Sequence, residues 1–146
     1  MLKPVDPIET LLQRIREEDG LAREADERHD VRALEGHNAI VDALLERVRR
    51  IPLMSPAGVA AVLETAEALV AGSGADADEA DLADAAELGQ VASRFRAGQV
   101  CEADRAFLSH VSFSGGLGDH LVGAVSLIRA AARSACRPSF GQALAA

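Results

Sequence analysis

Apolar residues recur along the chain at the i, i+3, i+4 and i+7 spacing that places them on one face of an α-helix. Capping residues, prolines and glycines separate successive stretches of this pattern, which together predict five or six helices. We expect the helices to begin near Asp6, Asp30, Ser55, Asp78, Val100 and Asp119. We expect interruptions at Pro52, residues 72–77, Gly98, residues 112–118 and Pro138.

Ser55 and Pro56 form the clearest of these helix starts. Serine is a favoured N-cap, and proline suits the first helical position because its missing N–H has no intrahelical partner there. Asp6 and Pro7 make a similar start, with an acidic residue three positions after the cap. Residues 17–30 alternate acids and arginines around few apolar positions, so we expect a solvated helix end or a mobile connection there.

Each predicted helix has an apolar stripe that should face the core. In chain order the stripes are Ile8, Leu11, Leu12 and Ile15; Val31, Leu34, Val41, Leu44, Leu45, Val48 and Ile51; Val59, Val62, Leu63, Ala66, Leu69 and Val70; Leu82, Ala85, Leu88, Val91, Ala92 and Phe95; Val100, Ala103, Phe107 and Val111; and Leu121, Val125, Ile128, Ala132 and Ala135. Asn38 falls within the second stripe. There it is either a buried amide that fixes register or oligomeric state, or an edge residue in contact with water.

Composition strengthens the helical prediction. The 146 residues include 29 alanines and 17 leucines, both strong helix formers, whereas aromatic residues make up only 3%. We therefore expect an all-α fold, a bundle of five or six helices in an up-and-down or irregular arrangement. The length predicts a single helical domain over residues 1–146, with residues 72–77 as the candidate hinge.

Charge and cysteine content narrow the partners and the compartment. The net charge of −8 disfavours binding to nucleic acid, because an acidic surface repels phosphates. No apolar run approaches the length of a membrane span, and the N-terminus has no apolar signal core. Two cysteines, Cys101 and Cys136, do not have metal-site spacing. We predict a cytoplasmic protein that has reduced thiols and does not bind a membrane.

Two histidines could carry chemistry. Asp26, His29 and Asp30 would share one face of a continuous helix, where a carboxylate and an imidazole can hold a metal ion, although a solvated charged face explains the same spacing. His110, before a glycine-rich segment, resembles the phosphorylated histidine region of phosphotransfer domains. Phe113 replaces the lysine of that motif and Ser114 replaces its glycine, so an ordinary histidine at a helix end is the competing interpretation.

A DNA-binding regulator is the other alternative. Arg47, Arg49 and Arg50 precede the helix over residues 55–70 and could contact phosphates. That helix, however, carries glutamates and lacks the arginine, lysine, asparagine or glutamine that would recognise base edges.

Asp6-Pro7-Ile8, Ile51-Pro52 and residues 55–63, which run Ser-Pro-Ala-Gly-Val-Ala-Ala-Val-Leu, carry a resemblance. They resemble a loose group of small helical bacterial proteins, encoded on chromosomes and integrated mobile elements. Many members have threonine as the cap where this chain has Ser55. The resemblance covers about the first half of the chain and consists of a helix start and a packing face. It implies a helical fold and transfers no catalytic residue.

The apolar stripes and the lack of a convergent catalytic set favour a non-enzymatic interaction or regulatory protein. We expect a protein partner or a homodimer formed through the helix at residues 40–51 or at residues 59–70. No catalytic residue, cofactor or metal is predicted. Metal binding at Asp26 and His29, phosphotransfer at His110 and DNA binding stay open as alternatives.

Overall fold

A computed structural model describes residues 7–53, 55–72, 77–111 and 119–135, and within these ranges the regular structure is helical without a strand. The helices are α1 Pro7–Glu27, α2 Val31–Arg50, α3 Pro56–Ala71, α4 Glu79–Ala97, α5 Glu102–His110 and α6 Asp119–Ala135. The predicted all-α fold is therefore confirmed. The helices pack against one another as in a bundle.

The chain divides into two compact units, Met1–Ile51 and Pro52–Ala146. The division falls at Pro52, ahead of the hinge predicted at residues 72–77, of which residues 73–76 lie outside the described part. Helices α3 and α4, on either side of that segment, pack against each other in the second unit. The single domain over residues 1–146 stays a prediction.

The first unit is a hairpin of α1 and α2. Helix α1 continues through the charged stretch to Glu27, where the sequence left a helix end or a mobile connection open, and small buried residues there, Ala22 and Ala25, let it keep packing. The turn after it reverses the chain at His29, whose φ of 56° is in the left-handed region. Asp30 then caps α2 by accepting the Ala33 N–H at 3.2 Å.

The second unit is organised around α3, which packs against both α4 and α6. All six apolar residues of its predicted stripe are buried, and Gly58, Ala60, Ala61 and Thr65 are buried with them. The alanine-rich sequence allows this burial on several sides, because small side chains let neighbouring helices approach closely. Helix α5 is short and packs against α6.

Helix ends in the second unit follow the sequence signals. The Ser55 hydroxyl accepts the Gly58 N–H at 3.1 Å, as its predicted capping role requires. Asp78 and Asp81 form a reciprocal capping box at the start of α4, with N–H to carboxylate distances of 2.8 and 3.2 Å. Gly98 ends α4 with a left-handed φ of 71°.

Several residues placed on inner faces lie elsewhere. Val31 and Leu82 are 62% and 46% exposed. In α5 the predicted face was wrong by one position, because Asp104 and Leu108 are buried whereas Ala103 is exposed. The reason is an ion pair. Arg94 of α4 donates to the Asp104 carboxylate, so the side of α5 that carries Asp104 faces inward.

Candidate interaction surfaces

Asp26 and His29 do not share a helical face. Helix α1 ends at Glu27, and His29 adopts the left-handed conformation of the turn, so the geometry assumed for a chelating pair is not present. Both side chains are exposed. Within the described residues, no group of three or more histidine, cysteine, aspartate or glutamate side chains is placed to hold a metal ion.

Among the described histidine side chains, His37 contacts a carboxylate. Its Nδ1 lies 2.7 Å from Oε2 of Glu18, and both side chains are largely shielded from solvent. The pair links α2 to α1 and fixes how the two helices of the hairpin are aligned along each other. Sequence spacing could not reveal it, because the partners are brought together only by the turn between the helices.

His110 is the last residue of α5 and is exposed. The glycine-rich segment that follows, residues 112–118, lies outside the described residues, as does Cys136. Phosphotransfer at His110 therefore stays a prediction. Cys101 is exposed at the start of α5, where its backbone N–H donates to Asp104.

Asp104 is buried and forms an ion pair with Arg94 in the second unit. Arg94 donates through Nε to both carboxylate oxygens at 2.9 Å and through Nη2 to one of them at 2.6 Å. Burial alone would raise the pKa of Asp104, but the Arg94 guanidinium and the Cys101 N–H hold it below its ordinary value. The same guanidinium reaches Glu87 at 3.4 Å. This arrangement fastens α5 to α4.

Two glutamates of α3 face α4 in contrasting ways. Glu64 accepts two hydrogen bonds from Arg96, at 2.5 and 3.0 Å. The Glu67 carboxylate instead lies over Gly89, close enough that a Cβ there would meet its oxygens at 2.7 and 2.9 Å. Desolvation by burial, and then the negative charge of Glu64, raise the pKa of Glu67.

Packing of α3 decides what that helix can present to a partner. Its residues in contact with solvent are mainly small or acidic, Ala57, Glu64, Glu67 and Ala68. The apolar residues predicted for self-association at residues 59–70 are covered by α4 and α6, and Leu44, Leu45 and Val48 of the other predicted segment are also buried. This geometry gives no support to α3 as a DNA-recognition helix. The surfaces that a partner can contact are therefore the outer faces of the helices.

The outer face of α2 combines an exposed apolar side chain with carboxylates. Val31, Glu35, Asn38 and Asp42 follow one another at steps of four, three and four residues, which places them along one line of the helix. Val31, Glu35 and Asp42 are exposed, and Asn38 is half-buried at the edge of the buried stripe. We call these four residues the acidic face.

A line with the same spacing runs along α6. Val122, Ser126, Arg129 and Arg133 again follow at steps of four, three and four residues. Val122 is 60% exposed, both arginines are exposed, and Ser126 is half-buried. We call these four residues the basic face. Each face thus begins with a valine and continues with charges of a single sign, negative on α2 and positive on α6.

Sequence reasoning missed both faces for the same reason. It assigned Val31 to the core stripe and gave Val122, Arg129 and Arg133 no part in a contact surface. The signal was nevertheless present, since the positions of the basic face are each one residue beyond Leu121, Val125, Ile128 and Ala132, members of the apolar stripe. A valine adjacent to a complete apolar stripe is a candidate for an outer contact.

Comparison of the chain with protein-family models, curated proteins and solved structures finds no match. The resemblance to small helical bacterial proteins stays a prediction. Among the described helices, none has the length and apolar character needed to cross a bilayer.

Proposed function

We propose that the chain is a non-enzymatic helical interaction or regulatory protein, which binds another protein through an outer helix face. The observation that carries the proposal is the exposure of Val31, an apolar side chain that is 62% exposed. The carboxylates of the acidic face follow it along the same line of α2. The proposal retains the cytoplasmic location expected from the sequence.

The surroundings of Val31 support a binding role for it. An exposed valine gains free energy when a partner covers it, and the carboxylates beside it would select a partner that brings positive charge. Steps of four, three and four residues match the seam along which two helices pack side by side. The two helices of the hairpin provide a rigid base, since the Glu18–His37 pair and the buried alanines of α1 hold them together.

Site-specific photo-cross-linking tests this function. Position 31 receives a photo-reactive amino acid in cells that produce the protein, and position 47, exposed elsewhere on α2, receives it in a matched control. We expect a discrete cross-linked product from position 31 that is absent from position 47. Reversing the charges of Glu35 and Asp42 to arginine should remove that product.

Equal labelling from positions 31 and 47, or none from either, would contradict the proposed function. A product that persists after the charge reversal would show that Val31 is contacted without the carboxylates. In that case the proposal that Val31, Glu35 and Asp42 bind the partner together would be wrong.

A further inference from the structure

We propose that the partner of the acidic face is the basic face of a second copy of the same chain. This inference rests on the proposed function and names its partner. Val31, Glu35 and Asp42 of the acidic face are exposed, and so are Val122, Arg129 and Arg133 of the basic face. Each copy therefore offers an acidic line and a basic line to its neighbours.

Matching positions carry the argument. With α2 of one copy parallel to α6 of another, Val31 lies opposite Val122, and Glu35 and Asp42 fall at the levels of Ser126 and Arg133. Arg129 stands one helical turn from each of these levels, within reach of a long side chain on either carboxylate. An antiparallel arrangement would instead place Val31 opposite Arg133 and Val122 opposite Asp42. Because each valine would then face a charged side chain, the parallel arrangement is favoured.

The charges also set the strength of this contact. Ion pairs between exposed side chains are weak individually and are screened by salt. The two valines bury only a small apolar area, well below that of a permanent dimer interface. We therefore infer a reversible association that rises with protein concentration and falls with ionic strength. Because the two faces differ, the contact is head-to-tail, and it closes as a pair or continues as a chain of copies.

Analytical ultracentrifugation of the full chain, as a function of concentration and salt, tests the inference. We expect a weight-average mass above that of the monomer at low salt and a return to the monomer at high salt. Arg129→Glu with Arg133→Glu should give a monomer under both conditions. Glu35→Arg with Asp42→Arg should do the same.

Mixing the two reversed variants is the decisive step. The first variant has two acidic faces and the second has two basic faces, so each is a monomer alone while their mixture should associate. Arg14→Glu with Arg47→Glu is the matched control, since it makes the same charge change at exposed positions outside both faces. We expect this control to associate like the unmodified chain.

A monomer at every concentration and salt would overturn the inference, as would a mixture that does not associate. Equal loss of association in the Arg14 and Arg47 control would also overturn it, because net charge alone would then explain the effect. These failures are distinct from failure of the proposed function. A chain that is monomeric when pure, but still cross-links at position 31 in cells, retains the function and has a different partner.

Discussion

Glu67 shows how a single carboxylate can lower the stability of a helix pair. It lies against α4 above Gly89, and its pKa is raised by desolvation and by the charge of Glu64. The folded state therefore holds a proton on Glu67 more tightly than the unfolded state does. It follows that the charged form costs stability, and that this cost appears as pH rises through the raised folded pKa.

Glu67→Gln should increase the free energy of unfolding near neutral pH. A neutral amide of the same shape removes the cost of keeping a charge out of water, and we expect a gain of about 0.5 kcal/mol for this half-buried site. The gain should shrink as pH falls below the ordinary glutamate pKa, because Glu67 itself is then protonated in both states. Urea unfolding of both proteins across this pH range measures the difference. A gain independent of pH would contradict the electrostatic explanation.

Gly89→Ala provides a control from the opposite helix. The three nearest atoms that an added Cβ would approach belong to the flexible end of Glu67. The carboxylate can therefore move into water, and alanine is favoured over glycine inside a helix by about 1 kcal/mol. Stabilisation is expected here as well. A clear loss of stability would mean that the Glu67 carboxylate cannot move away from α4.

Among the elements, the turn between α1 and α2 contains a residue, His29, in an unfavourable left-handed backbone conformation. The Asp30 N–H donates to the Ala25 carbonyl at 2.8 Å and the His29 N–H to the Asp26 carbonyl at 3.0 Å, the double pattern of a Schellman motif. The same motif ends α4, where the left-handed position is occupied by Gly98. At His29 a side chain occupies a conformation that disfavours a Cβ.

His29→Gly should therefore stabilise the α1–α2 hairpin. We expect a gain of up to about 1 kcal/mol from relief of left-handed strain, partly offset by the greater freedom of glycine in the unfolded chain. Gly98→Ala, the matched change in the opposite direction, should cost about 1 kcal/mol. Thermal or urea unfolding measures both effects. Destabilisation by His29→Gly would indicate that the imidazole makes a stabilising contact in the turn.

The α4–α5 connection depends on a buried charge and its partner. Arg94→Gln would leave the Asp104 carboxylate, only 3% exposed, without its cation, and we expect a loss of about 2–4 kcal/mol. Asp104→Asn removes the charge itself and should cost less. Because the folded pKa of Asp104 is lowered, the pair stabilises the protein above the unfolded pKa, and that contribution is lost as pH falls through the lowered folded value.

Urea unfolding at neutral pH and in acid checks this prediction. The difference between Arg94→Gln and the unmodified protein should narrow in acid, where the Asp104 carboxylate takes up a proton. An unchanged difference would mean that Arg94 acts mainly through the packing of its alkyl chain.

Helix positions and their ends were predictable because caps and prolines act locally. Ser55, Asp78 and Gly98 each have the role that the sequence indicated. The faces of the short helix α5 and the exposure of Val31 were not predictable, because each depends on residues distant in sequence. Asp104 is buried by Arg94 of another helix, and Glu18 meets His37 only after the hairpin has formed. The candidate interaction faces were missed for the same reason, since exposure is a property of packing.

On the scale of the whole molecule, charge is distributed unevenly. The chain carries a net charge of −8, yet residues 88–146 contain six arginines and only three acids. An acidic molecule with a locally basic helix face can repel its copies at long range and bind them at short range.

The second unit has one shared core, because α3 contacts both α4 and α6 and Leu63 is fully buried within it. Leu63→Ala should lower the free energy of unfolding of this unit by about 3 kcal/mol, through lost transfer energy and the cavity left behind. Amides that exchange only when the unit unfolds should then exchange about two orders of magnitude faster.

Native-state hydrogen exchange measures this acceleration amide by amide. It should appear in α3, α4 and α6 together, whereas Ala68→Ser on the exposed side of α3 serves as the control and should change little. Acceleration confined to α3 would mean that the three helices do not unfold as one cooperative unit.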